Sequence, residues 1–166
     1  MHRKFRTVGV GGTFDELHKG HRALLSKAFE ISNHVIIGLS SDEFIRKLGK
    51  PHVTAPYAER LRELEEFLTT QGLIERTDII PIDDPSGGVL SSGNPIEALV
   101  VSRETEPTAN MLNDRRKDMG LCPLQIVVID LVPSDNHVTI STTRIRHGEI
   151  DREGHVLGKT SRTEKA

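Results

Sequence analysis

His18 and His21 stand three residues apart with Gly20 between them, at the end of the stretch Gly11-Gly12-Thr13-Phe14-Asp15-Glu16-Leu17. That spacing is close to one helical turn, so at a helix start both imidazoles can face one ligand. An unperturbed imidazole titrates near 6.5, and modest surroundings decide its charge at neutral pH. Either form offers ring N–H groups to an anion. Gly11 and Gly12 let the backbone approach a phosphate closely, and the positive end of a following helix favours negative charge. Together these residues point to chemistry on a triphosphate. The plain alternative is one helix-capping histidine beside one surface histidine. The spacing fits neither G-x-G-x-x-G nor G-x-x-x-x-G-K-S/T, which excludes the dinucleotide fingerprint and the P-loop. A zinc site would need a third ligand that the vicinity lacks.

A second cluster lies far downstream, Ile140-Ser141-Thr142-Thr143-Arg144-Ile145-Arg146. Its hydroxyls and helix-start N–H groups suit phosphate oxygens, and Arg144 or Arg146 can fork onto them. Taken alone, it reads equally well as a helix cap followed by a solvated arginine. Asp15 reads as a residue that fixes the turn through its backbone, with a place near a phosphate-bound magnesium as the alternative. His34, His52, His137, His147 and His155 fall at strand ends, in loops and in the tail, with no chemistry assigned. Cys122, between Leu121 and Pro123, reads as a small buried or edge residue.

Strands and helices must alternate to position these groups. Apolar runs predict strands over 5–10, 34–40, 77–82, 96–102 and 124–131, mostly without alternation, which suits a parallel sheet covered on both faces. Helices are predicted over 19–32, 41–47, from Pro56 to Gly72, over 108–119 and over 141–148. The polar, Gly- and Ser-rich stretch 83–95 is a candidate mobile lid. The result is an α/β fold with a doubly wound sheet of about five parallel strands and helices on both faces. In such sheets ligands bind beyond the carboxyl ends of the strands, where both clusters fall. Residues 1–151 should make a single domain, and 152–166 a polar, loose C-terminal tail.

Composition narrows the function classes. A net charge of −2 over 166 residues argues against a general nucleic-acid binder. One cysteine excludes an internal disulfide framework and a multi-cysteine zinc site. No apolar run approaches the ~20 residues of a membrane span, and no signal-peptide core follows Met1-His2-Arg3-Lys4. No membrane partner is expected, and a cytoplasmic location is.

Gly12-Thr13-Phe14-Asp15 with His18-Lys19-Gly20-His21 resembles the G-T-F-D and H-x-G-H signatures of the nucleotidylyltransferase superfamily. Ile140 to Arg146 resembles its I-S-S/T-T-x-x-R signature. Three further segments are similar to the phosphopantetheine adenylyltransferases of archaeal and eukaryotic type. They are Tyr57-Ala58-Glu59-Arg60, Val101-Ser102-Arg103-Glu104-Thr105, and Asn110 to Arg116 with Gly120-Leu121. The likeness runs from about residue 8 to 151. Arg103 departs from the pattern, which has an acidic residue there. It could line the site or point outward.

The resemblance implies a Rossmann-like fold and transfer of the adenylyl group of ATP to 4′-phosphopantetheine, giving dephospho-coenzyme A and pyrophosphate. It assigns the catalytic work to His18, His21 and Arg144. ATP would be held by Gly11, Gly12, Thr13, Phe14, His21 and Ser102, and from the second motif by Ser141, Thr142, Thr143 and Arg144. The acceptor phosphate would meet Thr13, with Lys47 and Lys50 as candidates after the second strand. Mg²⁺ would be bound through the ATP phosphates, with no metal ligand assigned to the protein. Cytidylyltransferases for glycerol phosphate or choline phosphate, and a flavin (FMN) adenylyltransferase, share the main motifs. A non-catalytic nucleotide-binding sensor is the reading outside enzymes.

Overall fold

The apolar runs become five parallel strands: β1 (Phe5–Gly12), β2 (Ser32–Ser40), β3 (Thr77–Ile82), β4 (Ala98–Ser102) and β5 (Gln125–Ile129). Between them run α1 (Lys19–Ile31), α2 (Asp42–Leu48), α3 (Tyr57–Thr70) and α4 (Glu106–Asp118), with a 3-10 turn at Ile74–Arg76. A computed structural model describes residues 3–49, 53–91, 93–130, 145 and 151–155. The expected helix over 141–148 and the second motif therefore lie outside the described residues, Ile145 excepted.

The strand order is β3-β2-β1-β4-β5. The chain winds outward from β1 in one direction and then returns to start again on its other side. This is the doubly wound, Rossmann-like arrangement, and its order reverses between β1 and β4. Register there is fixed by Val8 opposite Ala98 and Gly9 opposite Leu99.

Side-chain parity divides the two faces. Val8, Val10, Val35, Ile37, Leu39, Ala98 and Val100 point to one face, where Leu25, Ala28 and Phe29 of α1 and Leu64 and Leu68 of α3 cover them. These leucines are fully buried, and trimming one to alanine should cost about 2–5 kcal/mol. The other parity, Ile36 and Leu99, packs with Leu112 of α4 and with Val89, Ile96 and Leu124. Helices therefore lie on both faces, as two covered faces require of a parallel sheet.

The element boundaries differ in informative places. β2 begins at Ser32, directly after α1, because Ser32 Oγ donates to the Ala28 carbonyl and closes the helix without a loop. β4 begins at Ala98 rather than residue 96. Glu97 keeps backbone bonds to Thr7 and Gln125 on either side, and its carboxylate also accepts the Arg6 N–H at 2.7 Å. α4 starts two residues earlier than expected, with Pro107 in its first turn, where a missing N–H costs nothing.

The stretch 83–95 is not a free-standing lid. Asp84 accepts the Ser86 and Gly87 N–H groups and folds its start into a tight turn. Val89 is buried with Leu112 and Leu124, and Arg116 donates to its carbonyl. Composition hid this, because two adjacent apolar residues, Val89 and Leu90, and a distant arginine supply the anchorage. Cys122 is exposed, not buried. Its carbonyl, rather than its thiol, is engaged, by Arg116 Nε at 2.8 Å.

Candidate active site

β1 ends in a turn that uses uncommon backbone. Phe14 and Glu16 sit at φ of 50° and 53°, left-handed values that cost a residue with a side chain roughly 1–2 kcal/mol. Phe14 meets that cost by burial, at 2% exposure in the core beneath α1. Asp15, between them, is 1% exposed and accepts the Ala55 N–H at 3.2 Å. Its carboxylate pins the turn to the segment before α3, so the side chain does the work that the sequence reading gave to the backbone.

Arg60 pulls the neighbouring strand ends together. It is 2% exposed, yet its guanidinium is fully used. It donates to the carbonyls of Thr13 at 3.0 Å, Ser40 at 2.8 Å and Ala55 at 2.8 Å, and pairs with Asp42 at 3.0 Å. The last residues of β1 and β2 are thereby held around one buried cation.

His18 and His21 cap α1 reciprocally. His18 Nδ1 accepts the His21 N–H at 3.3 Å, and His21 Nδ1 accepts the His18 N–H at 3.2 Å. The two rings stack with centroids 3.7 Å apart and planes 15° from parallel. An accepting Nδ1 places the proton of a neutral imidazole on Nε2. Both rings are thus fixed in one tautomer and one orientation by the helix they begin. His18 is 6% exposed, and burial, with help from the charges of Arg22 and Arg152, lowers its pKa to about 4. It is neutral at pH 7, a hydrogen-bond donor without a formal charge. The capping reading of His18 is therefore realised, and the same side chain lines the cavity described below.

The helix end is less open to an anion than the sequence suggests. The Lys19 N–H donates to the Arg152 carbonyl at 2.7 Å, and the His21 N–H is taken by His18. Gly20 N–H is the first-turn donor without an acceptor among the described residues. The imidazole edges and the helix dipole supply what the backbone does not.

A cavity of about 750 Å³ opens at the order reversal and runs down the second face of the sheet. Its floor is made by the small parity positions Gly9, Gly11 and Gly38, and α1, α2, α4 and the 85–89 turn wall it. A Cβ on Gly9 would lie 2.8 Å from Ile96 Cδ1, and one on Gly38 would lie 3.0 Å from Ile82 Cγ2. Glycine there lets isoleucines lie flat on the strands.

Of the residues expected at the site, Gly11, Gly12, Thr13, His18, His21 and Ser102 line this one cavity. Ser102 is held by Thr105, whose Oγ1 accepts its N–H at 3.2 Å. Phe14 does not line it. Its ring is buried and tilted against His21, centroids 5.2 Å apart, so it supports a histidine. Lys47 does not line it either, since its side chain is 66% exposed and lies 3.6 Å from Glu43. Lys50, Ser141, Thr142, Thr143 and Arg144 lie outside the described residues. Arg103 points outward and pairs at 3.0 Å with Asp130, a carboxylate on the cavity rim. Sequence reasoning missed Asp130, Thr108 and two of the floor glycines, Gly9 and Gly38. Gly9 and Gly38 carried a signal, being lone glycines inside apolar strands.

Comparison with known proteins agrees with this geometry. The sequence model of the cytidylyltransferase-like family matches residues 10–148. The phosphopantetheine adenylyltransferase of Methanothermobacter thermautotrophicus is 44% identical over 157 residues, covering 95% of this chain and 93% of that one. The protein of the same name from Methanopyrus kandleri is 44% identical over 148 residues, covering 89% and 92%. Among solved structures, an Archaeoglobus fulgidus protein of unknown function superposes with a TM-score of 0.67 at 28% identity, covering 81% of this chain and 99% of that one. A tyrosyl-tRNA synthetase from the same organism, at 12% identity and a TM-score of 0.63 over 87% of this chain and 61% of that one, shares the fold alone. The chain belongs to the cytidylyltransferase-like family and, within it, to the phosphopantetheine adenylyltransferases.

Proposed function

We propose that the chain transfers the adenylyl group of ATP to 4′-phosphopantetheine, forming dephospho-coenzyme A and pyrophosphate. The observation that carries the reading is the His18–His21 pair, locked by its own capping bonds at the mouth of the switch-point cavity. Identity of 44% across nearly the whole chain to relatives of that name supports the choice of substrates.

The chemistry asks little of the protein beyond placement. A phosphate monoester has its second pKa near 6, so the acceptor is already an anion at neutral pH. One of its oxygens attacks the α-phosphorus in line, and the bond from that phosphorus to the bridging oxygen of pyrophosphate breaks. No general base and no covalent intermediate are required. Positioning and electrostatic stabilisation dominate transfers of this kind.

His18 and His21 donate from Nε2 to phosphate oxygens of the nucleotide. His18, a neutral donor with a fixed tautomer, binds these oxygens without the reorganisation a mobile cation needs. Gly11, Gly12 and Thr13 let the chain approach the phosphates, and Ser102 reaches the nucleotide from the end of β4. Ser141, Thr142, Thr143 and Arg144 take the remaining phosphate contacts, and Lys50 stays a candidate for the acceptor phosphate.

Among the described residues no three His, Cys, Asp or Glu side chains converge on one point. The lining named above offers donors for phosphate oxygens rather than a cage for a cation. Mg²⁺ would be carried on the ATP phosphates and would supply charge neutralisation there. No described helix is long and apolar enough to cross a membrane, and the proposal places the reaction in the cytoplasm.

Pyrophosphate release tests the reading. The protein is incubated with Mg²⁺ and either ATP or CTP, offering phosphopantetheine, glycerol phosphate or FMN in turn. Release with ATP and phosphopantetheine alone is the expected result. Release with CTP and glycerol phosphate, or with FMN, would replace this assignment with another branch of the family.

A further inference from the structure

Residues 151–155 follow the segment that carries the second motif, and they do not hang loose. Asp151 accepts the N–H groups of Glu153 at 2.9 Å and His155 at 2.8 Å, and its own N–H donates to the His155 carbonyl at 2.9 Å. The first residues of the expected tail, 152–155, therefore form a closed turn with Asp151. That turn is docked on the start of α1. The Arg152 carbonyl accepts the Lys19 N–H at 2.7 Å. Its guanidinium reaches Glu16 Oε2 at 2.8–3.0 Å and also bonds Glu63 of α3. Glu153 pairs with Arg22, one residue beyond His21.

We infer that Arg152 is a positioning residue for the histidine pair, clamping the Glu16 turn to α3 and closing the first turn of α1 with its own carbonyl.

The geometry makes this specific. Glu16 is one of two left-handed residues in the turn that leads to His18. Such a conformation persists only where contacts over-determine it. Phe14 is held by the core, and Arg152 ties Glu16 to Glu63 of α3. The bridge spans two carboxylates with different nitrogens, which a guanidinium can do and an ammonium does poorly. The Lys19 N–H lies one residue from His18, so loosening its acceptor frees the capping pair to rotate. Arg152 is not a catalytic residue in this account, and it is absent from the cavity lining. The consequence for the chain is that the far end of the second-motif segment is fastened to the first motif.

The inference rests on the adenylyl-transfer reading for its kinetic consequence, and the test has one readout that does not. In the full-length protein, Arg152→Ala is expected to lower kcat tenfold or more while the KM for ATP moves less than threefold. Arg152→Lys should recover only part of the loss. Arg152→Ala combined with Glu16→Ala should be no worse than the poorer single variant, because both break one clamp. The independent readout is the imidazole resonance of His18 followed by NMR as pH falls. His18 is faced by Arg22 from its own helix, by Arg152 from the turn and by the His21 ring. Its midpoint should rise toward 6.5 in Arg152→Ala. A folded Arg152→Ala with wild-type kcat and an unmoved His18 resonance would overturn the inference, as would multiplicative losses in the double variant. Should Arg152→Ala not fold, Glu63→Gln and Arg152→Lys carry the same two readouts from milder lesions. If the wild type releases no pyrophosphate yet the His18 midpoint rises in Glu16→Ala, where Arg152 keeps its charge, the functional reading fails and the clamp stands.

Discussion

A Cβ on Gly20 would lie 2.8 Å from Cε1 and 3.0 Å from Nδ1 of His18. The glycine between the two histidines is thus required by the ring before it. His18 folds over the first turn of α1 to accept the His21 N–H, and only a residue without a side chain leaves it that space.

Gly20→Ala should separate activity from stability. Alanine in a helix favours folding by up to ~1 kcal/mol, and loss of the His18 cap costs about the same, so the melting midpoint should move by only a few degrees. The displaced ring no longer presents Nε2 to the phosphates, and kcat should fall by roughly 10²-fold. Thermal melts beside steady-state kinetics check it. A kcat within twofold of wild type would show that the ring position does not matter.

His18 also gives the fold a pH signature. Its pKa is near 4 folded and 6.5 unfolded, so the unfolded chain binds the extra proton between those values. Stability contributed at this residue is complete above pH 6.5, declines as pH falls, and is lost by about pH 4. A gap of this size corresponds to about 3 kcal/mol. His18→Asn keeps a side-chain acceptor for the helix start but cannot titrate. The difference in unfolding free energy between wild type and His18→Asn, measured by urea titration at a series of pH values, should shift by that amount across pH 6.5 to 4. A constant difference would show that His18 does not titrate in this window.

The site was legible in the sequence where chemistry and backbone coincide. Gly20, His18 and His21 are close in the chain, and a helix start brings such residues together without help from the rest of the fold. The sheet was equally legible, since apolar runs without alternation have few other uses. What escaped came from distance. Arg116 reaches Val89 across 27 residues and turns a presumed lid into part of a wall. Lys47 looked like a phosphate ligand by region, but α2 turns it toward Glu43 and water. Phe14 sits inside a motif shared with nucleotide-binding relatives, yet its left-handed backbone sends the ring inward. No local pattern encodes these outcomes, because each depends on which neighbour tertiary packing supplies.

Arg60 offers a test of the framework behind the site. Its guanidinium satisfies three carbonyls at the ends of β1, β2 and the segment before α3. Removing it leaves them buried without partners and Asp42 without its cation. Arg60→Ala should lose about 3–5 kcal/mol, the scale for breaking a buried charged network. Arg60→Lys should recover less than half, because one ammonium cannot reach carbonyls placed for a planar fork. Chemical unfolding of the two variants measures both. A loss under ~1 kcal/mol for Arg60→Ala would mean water replaces the guanidinium.

Arg116 tests whether the 83–95 stretch is a wall or a lid. The side chain is 8% exposed and donates to the carbonyls of Val89 and Cys122. In Arg116→Ala both acceptors lose their partner, at about 1–3 kcal/mol apiece. Val89 and Leu90 would then be the stretch's remaining anchors in the second core. The 85–89 turn lines the cavity, so substrate binding should weaken before chemistry does, raising KM more than it lowers kcat. Limited proteolysis reads the anchorage directly, since cleavage of native protein follows local opening. Cleavage within 83–95 should be slow in wild type and accelerate severalfold in Arg116→Ala. Rapid cutting in both would show that the stretch opens freely despite the bonds that hold it.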